Sequence, residues 1–101
     1  MSHCTEIAIF KVAKQNIERV IALSLQVFDE INANGPVIIA HKVLQKDDDD
    51  EEICWQLTWI NQEAVALTTK KWSSFKSTAE LELLVGDKLY YGHFVDLNGQ
   101  T

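Results

Sequence analysis

Seven residues, "ICWQLTW" (Ile53 to Trp59), constrain this chain more than any other stretch. Ile53, Trp55, Leu57 and Trp59 alternate with Cys54, Gln56 and Thr58, the period-two pattern of a strand that buries one face. Immediately before it stand six consecutive carboxylates, Asp47 to Glu52. Before those, "PVIIAHKVLQK" (Pro36 to Lys46) reads as another strand. A strand, a polar loop of about six residues and a strand make a hairpin.

The other elements follow from changes of period. "TEIAIFKV" (Thr5 to Val12) has the β-branched and aromatic content of a first strand. In "KQNIERVIALSLQVFDEINANGP", Ile17, Val20, Ile21, Ser24, Val27, Phe28 and Ile31 recur at three- and four-residue steps and form one helical face. Leu23 and Leu25 widen its apolar surface. Asn34-Gly35-Pro36 ends the helix, with Gly35 free to take a positive φ. A second helix starts at the N-cap Asn61, breaks near Ser73-Ser74 and resumes through "STAELELLVG", where Ser77 and Glu80 have capping-box spacing. "DKLYYGHFVDL" (Asp87 to Leu97) is the last strand, and Asn98 to Thr101 form a tail.

The order β-α-β-β-α-β predicts a ferredoxin-like α+β fold in a single domain, a four-stranded antiparallel-type sheet with its helices on one face. At 101 residues, two separate cores would each be too small. Right-handed crossovers are expected to set the first and third strands side by side and parallel at the centre, which would bring Cys4 and Cys54 together. All four strands have two largely apolar sides, so the face away from the helices needs a cover. A second copy packing sheet to sheet, giving an α+β barrel homodimer, is the simplest one.

Composition excludes several functions. The net charge is −6, yet outside the acidic run nine acids face nine bases. No basic stripe is available for phosphates, which argues against nucleic acid or an anionic membrane as partner. No apolar run approaches the roughly 18 residues of a membrane span, and "MSHCTEIAIFKV" lacks the form of a signal peptide, so a cytoplasmic address is expected. Two cysteines without a CxxC pair suit neither a disulfide scaffold nor zinc. GxGxxG, GxxxxGK[ST] and GxSxG are absent. The acidic run fails as a calcium loop: counted from Asp47, position six is Glu52 where glycine is required, and position twelve is Thr58 where an acid is required. It reads as a solvated turn, and no metal or other cofactor is assigned.

The segment from Ile53 to Leu97 resembles the second half of the dimeric α+β barrel superfamily, in particular domains of the antibiotic biosynthesis monooxygenase type. The residues that carry the resemblance are "CWQLTW" ending at Trp59, then "EAVALTTKKWSSF", "ELELLVG" and "KLYYGHFVDL". It implies a homodimer with a small apolar cavity between sheet and helices in each subunit. Members of this group often carry Glu two residues before that tryptophan and His about nine residues after it; here these positions are Leu57 and Thr68. No histidine lies between His41 and His93, which argues against the haem-degrading branch.

His41 and His93 are the candidate catalytic residues, each able to exchange a proton with a bound phenol or enol. On strand parity His41 shares a face with Val37, Ile39 and Val43, and His93 shares one with Leu89, Tyr91 and Val95. A histidine packed in a core or interface is the competing reading, because no sequence-adjacent carboxylate orients either ring. Trp59, Trp72, Phe75 and Tyr91 are the candidate ligand-binding residues, drawn from the aromatic-rich second half. Trp72 is favoured for a cavity because it follows two lysines at the helix break. Two functions remain: a cofactor-free monooxygenase or isomerase acting on a small apolar or aromatic molecule, and a non-catalytic dimeric module that binds a ligand or a protein.

Overall fold

The computed structural model describes residues 3–97; the expected tail at 98–101 lies outside them. The strands are β1 (Cys4–Val12), β2 (Ile38–Lys46), β3 (Asp49–Trp59) and β4 (Val85–Val95). The helices are α1 (Ile17–Ile31), α2 (Gln62–Lys70) and α3 (Thr78–Leu84), with a 3₁₀ turn at Trp72–Ser74 marking the break between the last two. The sheet order is β2-β3-β1-β4, the ferredoxin-like arrangement.

Adjacency of β1 and β3 is as expected, but their direction is not. They pair antiparallel, with Cys4 opposite Trp59 and Ile9 opposite Cys54. Each helical crossover skips one strand, so helix-linked strands run parallel without touching and every neighbour is antiparallel. Cys4 and Cys54 therefore lie five residues apart along the pair, about 17 Å at ~3.4 Å per residue, and on opposite faces.

The acidic run also differs from expectation. Only Asp47 and Asp48 form the turn, because β3 already begins at Asp49. The remaining acids are held in an extended strand by β1 and its exit. Lys11 pairs with Asp49, Lys14 Nζ lies 3.4 Å from Asp50, and the Lys14 backbone N–H donates to Glu51 at 3.0 Å. Nearby cations thus let the strand run further than like-charge repulsion would suggest.

The α1–β2 connection is closed by Asn32, whose Oδ1 accepts from the N–H groups of Val37 and Ile38 while its Nδ2 donates to the Ile38 carbonyl. Gly35 sits at φ +138°, a conformation rarely open to other residues. At α2 the Asn61 side chain accepts from the Ala64 N–H at 2.8 Å, the expected N-cap bond. The capping box at α3 does not form. Ser77 Oγ instead donates to Glu30 Oε2 at 2.6 Å, and Glu80 takes a bidentate pair of bonds from Arg19. These contacts fasten α3 to α1.

The core lies between the sheet and α1. Val20, Leu23, Ser24, Val27, Phe28 and Ile31 are all buried, whereas Ile21 and Leu25 face outward. Leu23, read as widening the stripe, belongs to the core. Phe28 meets Trp55 edge-on at 4.8 Å, and the Trp55 indole N–H donates to Ser24 Oγ at 3.0 Å. The opposite sheet face is open and carries Tyr90 at 46% and Phe94 at 50% exposure, with near-parallel rings 6.4 Å apart.

Candidate functional site

Beyond the α1 core, the space between sheet and helices is not filled. Where α1 points Phe28 and Leu23 at the sheet, α2 buries only Ala64 and Thr68. Small side chains at the buried positions of α2 leave a cavity of about 370 Å³, near the lower end of the range for small-molecule sites. Its floor is the sheet, with Glu6, Ala8, Leu57 and Trp59; its roof is Val65, Thr68 and Thr69 of α2. Trp72 of the 3₁₀ turn and Leu81 of α3 close one side, and Lys88 and Tyr91 of β4 also border it. The lining is chiefly apolar.

Glu6 is the principal polar group in the floor. It occupies the inward parity of β1, between Cys4 and Ala8, and is only 4% exposed. Its Oε1 accepts from the Trp59 indole N–H at 3.1 Å and lies 3.2 Å from His93 Nε2. Pairing of β1 with β4 sets Glu6 directly opposite His93, so both project from the same face. Oε2 takes neither bond, and it is not sealed from solvent. Burial pushes the Glu6 carboxyl above the ordinary glutamate range, while His93 and the Trp59 bond act against that rise. A carboxylate so placed can exchange a proton with a ligand, with His93 holding it from behind. The His93 side chain is 25% exposed and meets the Tyr91 ring edge-on at 5.0 Å.

The site residues expected from sequence divide into groups. Trp59, Trp72 and Tyr91 line the cavity, and His93 adjoins it through Glu6. Phe75 packs against the core without lining the cavity. His41 lies on β2, the opposite edge of the sheet from β4, exposed and with its ring 4.9 Å from that of Phe28. A register shift between Ile38 and Ala40 breaks the parity assumed there, so His41 pairs with Leu57 and shares the inward face with Ile38 rather than Ile39. A second irregularity beside Tyr90 leaves Leu89 out of register with His93.

Glu6 was missed because its partner His93 is 87 residues away. The available signal was parity: in "CTEIAIFKV" a lone carboxylate shares its face with Cys4, Ala8, Phe10 and Val12. Among the described residues no three His, Cys, Asp or Glu side chains converge to hold a metal ion.

Four antiparallel strands with helices on one face give this chain the fold of antibiotic biosynthesis monooxygenase-type proteins. One such protein from Chloroflexus aurantiacus superposes with a TM-score of 0.74 at 17% identity, covering 99% of this chain and 98% of that one. Another from Caulobacter crescentus gives 0.77 at 11% identity, covering 96% and 92%. SnoaB of Streptomyces nogalater, a cofactor-independent oxygenase, gives 0.68 at 20% identity over 100% and 97% of the two chains. At these identities the likeness is one of fold. No protein-family profile matches the chain, and no curated protein matches it by sequence.

Proposed function

We propose that the protein is a cofactor-free oxygenase acting on a small phenolic or enolic molecule in the cavity beneath α2. The observation that carries this reading is a buried carboxylate with one oxygen bonded to Trp59 and His93 and the other unspent, in a chiefly apolar cavity. Glu6 takes the acidic proton of the substrate, and the apolar walls keep the resulting electron-rich ring from water. The substrate supplies the electrons: a CH₂ group reacts with O₂ to give a carbonyl and one water. Likeness of fold to SnoaB supports this class of reaction. His93, Trp59, Trp72 and Tyr91 serve as positioning and lining residues, and His41 has no part in this site.

The working unit is a homodimer. Ile7, Ile9, Tyr90 and Phe94 share the open sheet face, and a second copy packed on it would remove this apolar surface from water. Tyr90 lies flat over Gly92, where an added Cβ would approach its hydroxyl to 2.7 Å. Gly92→Ala should therefore lift the ring and weaken the dimer, read by native mass spectrometry.

The test of the reaction is oxygen uptake with anthrone in the presence of a chelator. Equimolar O₂ consumption with formation of anthraquinone is expected, and Glu6→Gln should slow it by about a hundredfold or more. Uptake no faster than without protein would refute the oxygenase reading.

A further inference from the structure

The two short helices of the second crossover are secured very differently. α3 has only seven residues, yet it is fastened on several sides. The Ser77 Oγ and N–H donate to the two carboxylate oxygens of Glu30 at 2.6 and 3.0 Å, Arg19 donates twice to Glu80, and Lys88 donates to Glu82 at 2.9 Å. The turn before α3 is tied to it, because Thr78 Oγ1 bonds to the carbonyls of Trp72 and Phe75. At the other end, the Ile60 N–H donates to the Val37 carbonyl at 2.9 Å. Between these anchors lies α2. Among the described residues, Gln62–Lys70 make no hydrogen bond or ion pair to another strand or helix. A nine-residue helix is too short to persist by itself, so packing must hold it. That packing is slight: Ala64 and Thr68 are buried, Val65 is half-buried, and the cavity lies beneath them in place of a core.

We infer that α2 is a lid, which opens as a unit between Asn61 and Lys71 while α1, α3 and the sheet stay closed, and which a ligand in the cavity holds shut. The hinges are Asn61, whose side chain caps the first turn, and Lys71, which joins α2 to the anchored turn. Opening breaks the cap and the contacts of three small side chains, whereas lifting α1 would expose Leu23, Val27 and Phe28 together. A molecule under α2 supplies the apolar contacts that the helix lacks, so occupancy closes the roof and shuts out water. The inference rests on the cavity as the ligand site of the proposed function, and adds to it how the site is covered.

The test is amide hydrogen exchange of the whole protein, read by mass spectrometry of its peptides. Without ligand, the peptides of α2 should exchange about tenfold faster or more than those of α1 and of α3. Asn61→Ala removes the cap and lies outside the cavity lining; it should speed exchange in α2 by about fivefold and leave α1 unchanged. The ligand probe is 2-naphthol, its binding followed by quenching of the tryptophans, of which Trp59 and Trp72 line the cavity. At about twenty times its Kd, 2-naphthol should slow exchange in α2 by about twentyfold. Equal exchange of α2 and α3 in the free protein would overturn the lid. So would binding of 2-naphthol that leaves α2 exchange unchanged, with the cavity still standing as a ligand site. Absence of quenching would instead remove the cavity reading, and the exchange of the free protein would then decide by itself whether α2 opens.

Discussion

Trp55 and Trp59 stand on the same strand, face the same side, and are both buried, yet they do different work. The Trp55 indole N–H donates to Ser24 on α1, and its ring is wedged against Phe28 and Phe10. Both rings border the cavity, but the Trp59 indole N–H donates to Glu6, a carboxylate in the cavity floor. The difference originates in the helices above. The two crossovers have the same topology, but α1 buries Leu23, Val27 and Phe28 while α2 buries Ala64 and Thr68. Large residues make one half a core, and small ones make the other half a container.

Substitutions can break or sharpen this contrast. The largest effect is expected from Phe28→Ala, which empties the packed half and should cost about 3–5 kcal/mol in denaturant unfolding. Ser24→Ala should cost about 1–3 kcal/mol, because it leaves the buried Trp55 N–H unpaired. If instead it proves neutral, Trp55 is not held in the way its hydrogen bond implies.

Glu6→Gln should act in the opposite direction and depend on pH. Burial raises the folded-state pKa of Glu6 above its unfolded value of about 4.3, so ionisation costs the folded protein more than the unfolded chain. Below the unfolded pKa the acid is neutral in both states, and wild type and variant should be equally stable. As pH rises through the folded pKa the wild type loses stability relative to Glu6→Gln, and thermal melts from pH 3 to 8 would display the divergence. The smallest effect belongs to Leu67→Ala on the outer face of α2, expected within about 0.5 kcal/mol.

The same contrast explains what could be read from sequence. Element order, the break before α3, the Asn61 cap and the strand ending at Trp59 were legible because each rests on local periodicity or capping chemistry. Strand direction was not: parallel or antiparallel pairing of β1 and β3 depends on which strand each crossover skips. The full length of β3 is not legible either, because Lys11 and Lys14, distant in sequence, hold its acidic start. His41 and His93 look alike as lone histidines on apolar strands, and only the sheet order separates them. It sets His93 opposite Glu6 and leaves His41 on the far edge. Cavity volume, likewise, depends on residues that fail to reach across, which no single motif records.

Whether Glu6 receives a ligand hydroxyl within the cavity is tested most directly by the affinity for a simple phenol, 2-naphthol, between pH 4 and 7 in wild type and Glu6→Gln. Wild-type affinity should climb as Glu6 ionises, at a pH above the ordinary glutamate range, while the variant binds more weakly and without pH dependence. Identical, pH-independent affinity in both proteins would contradict it.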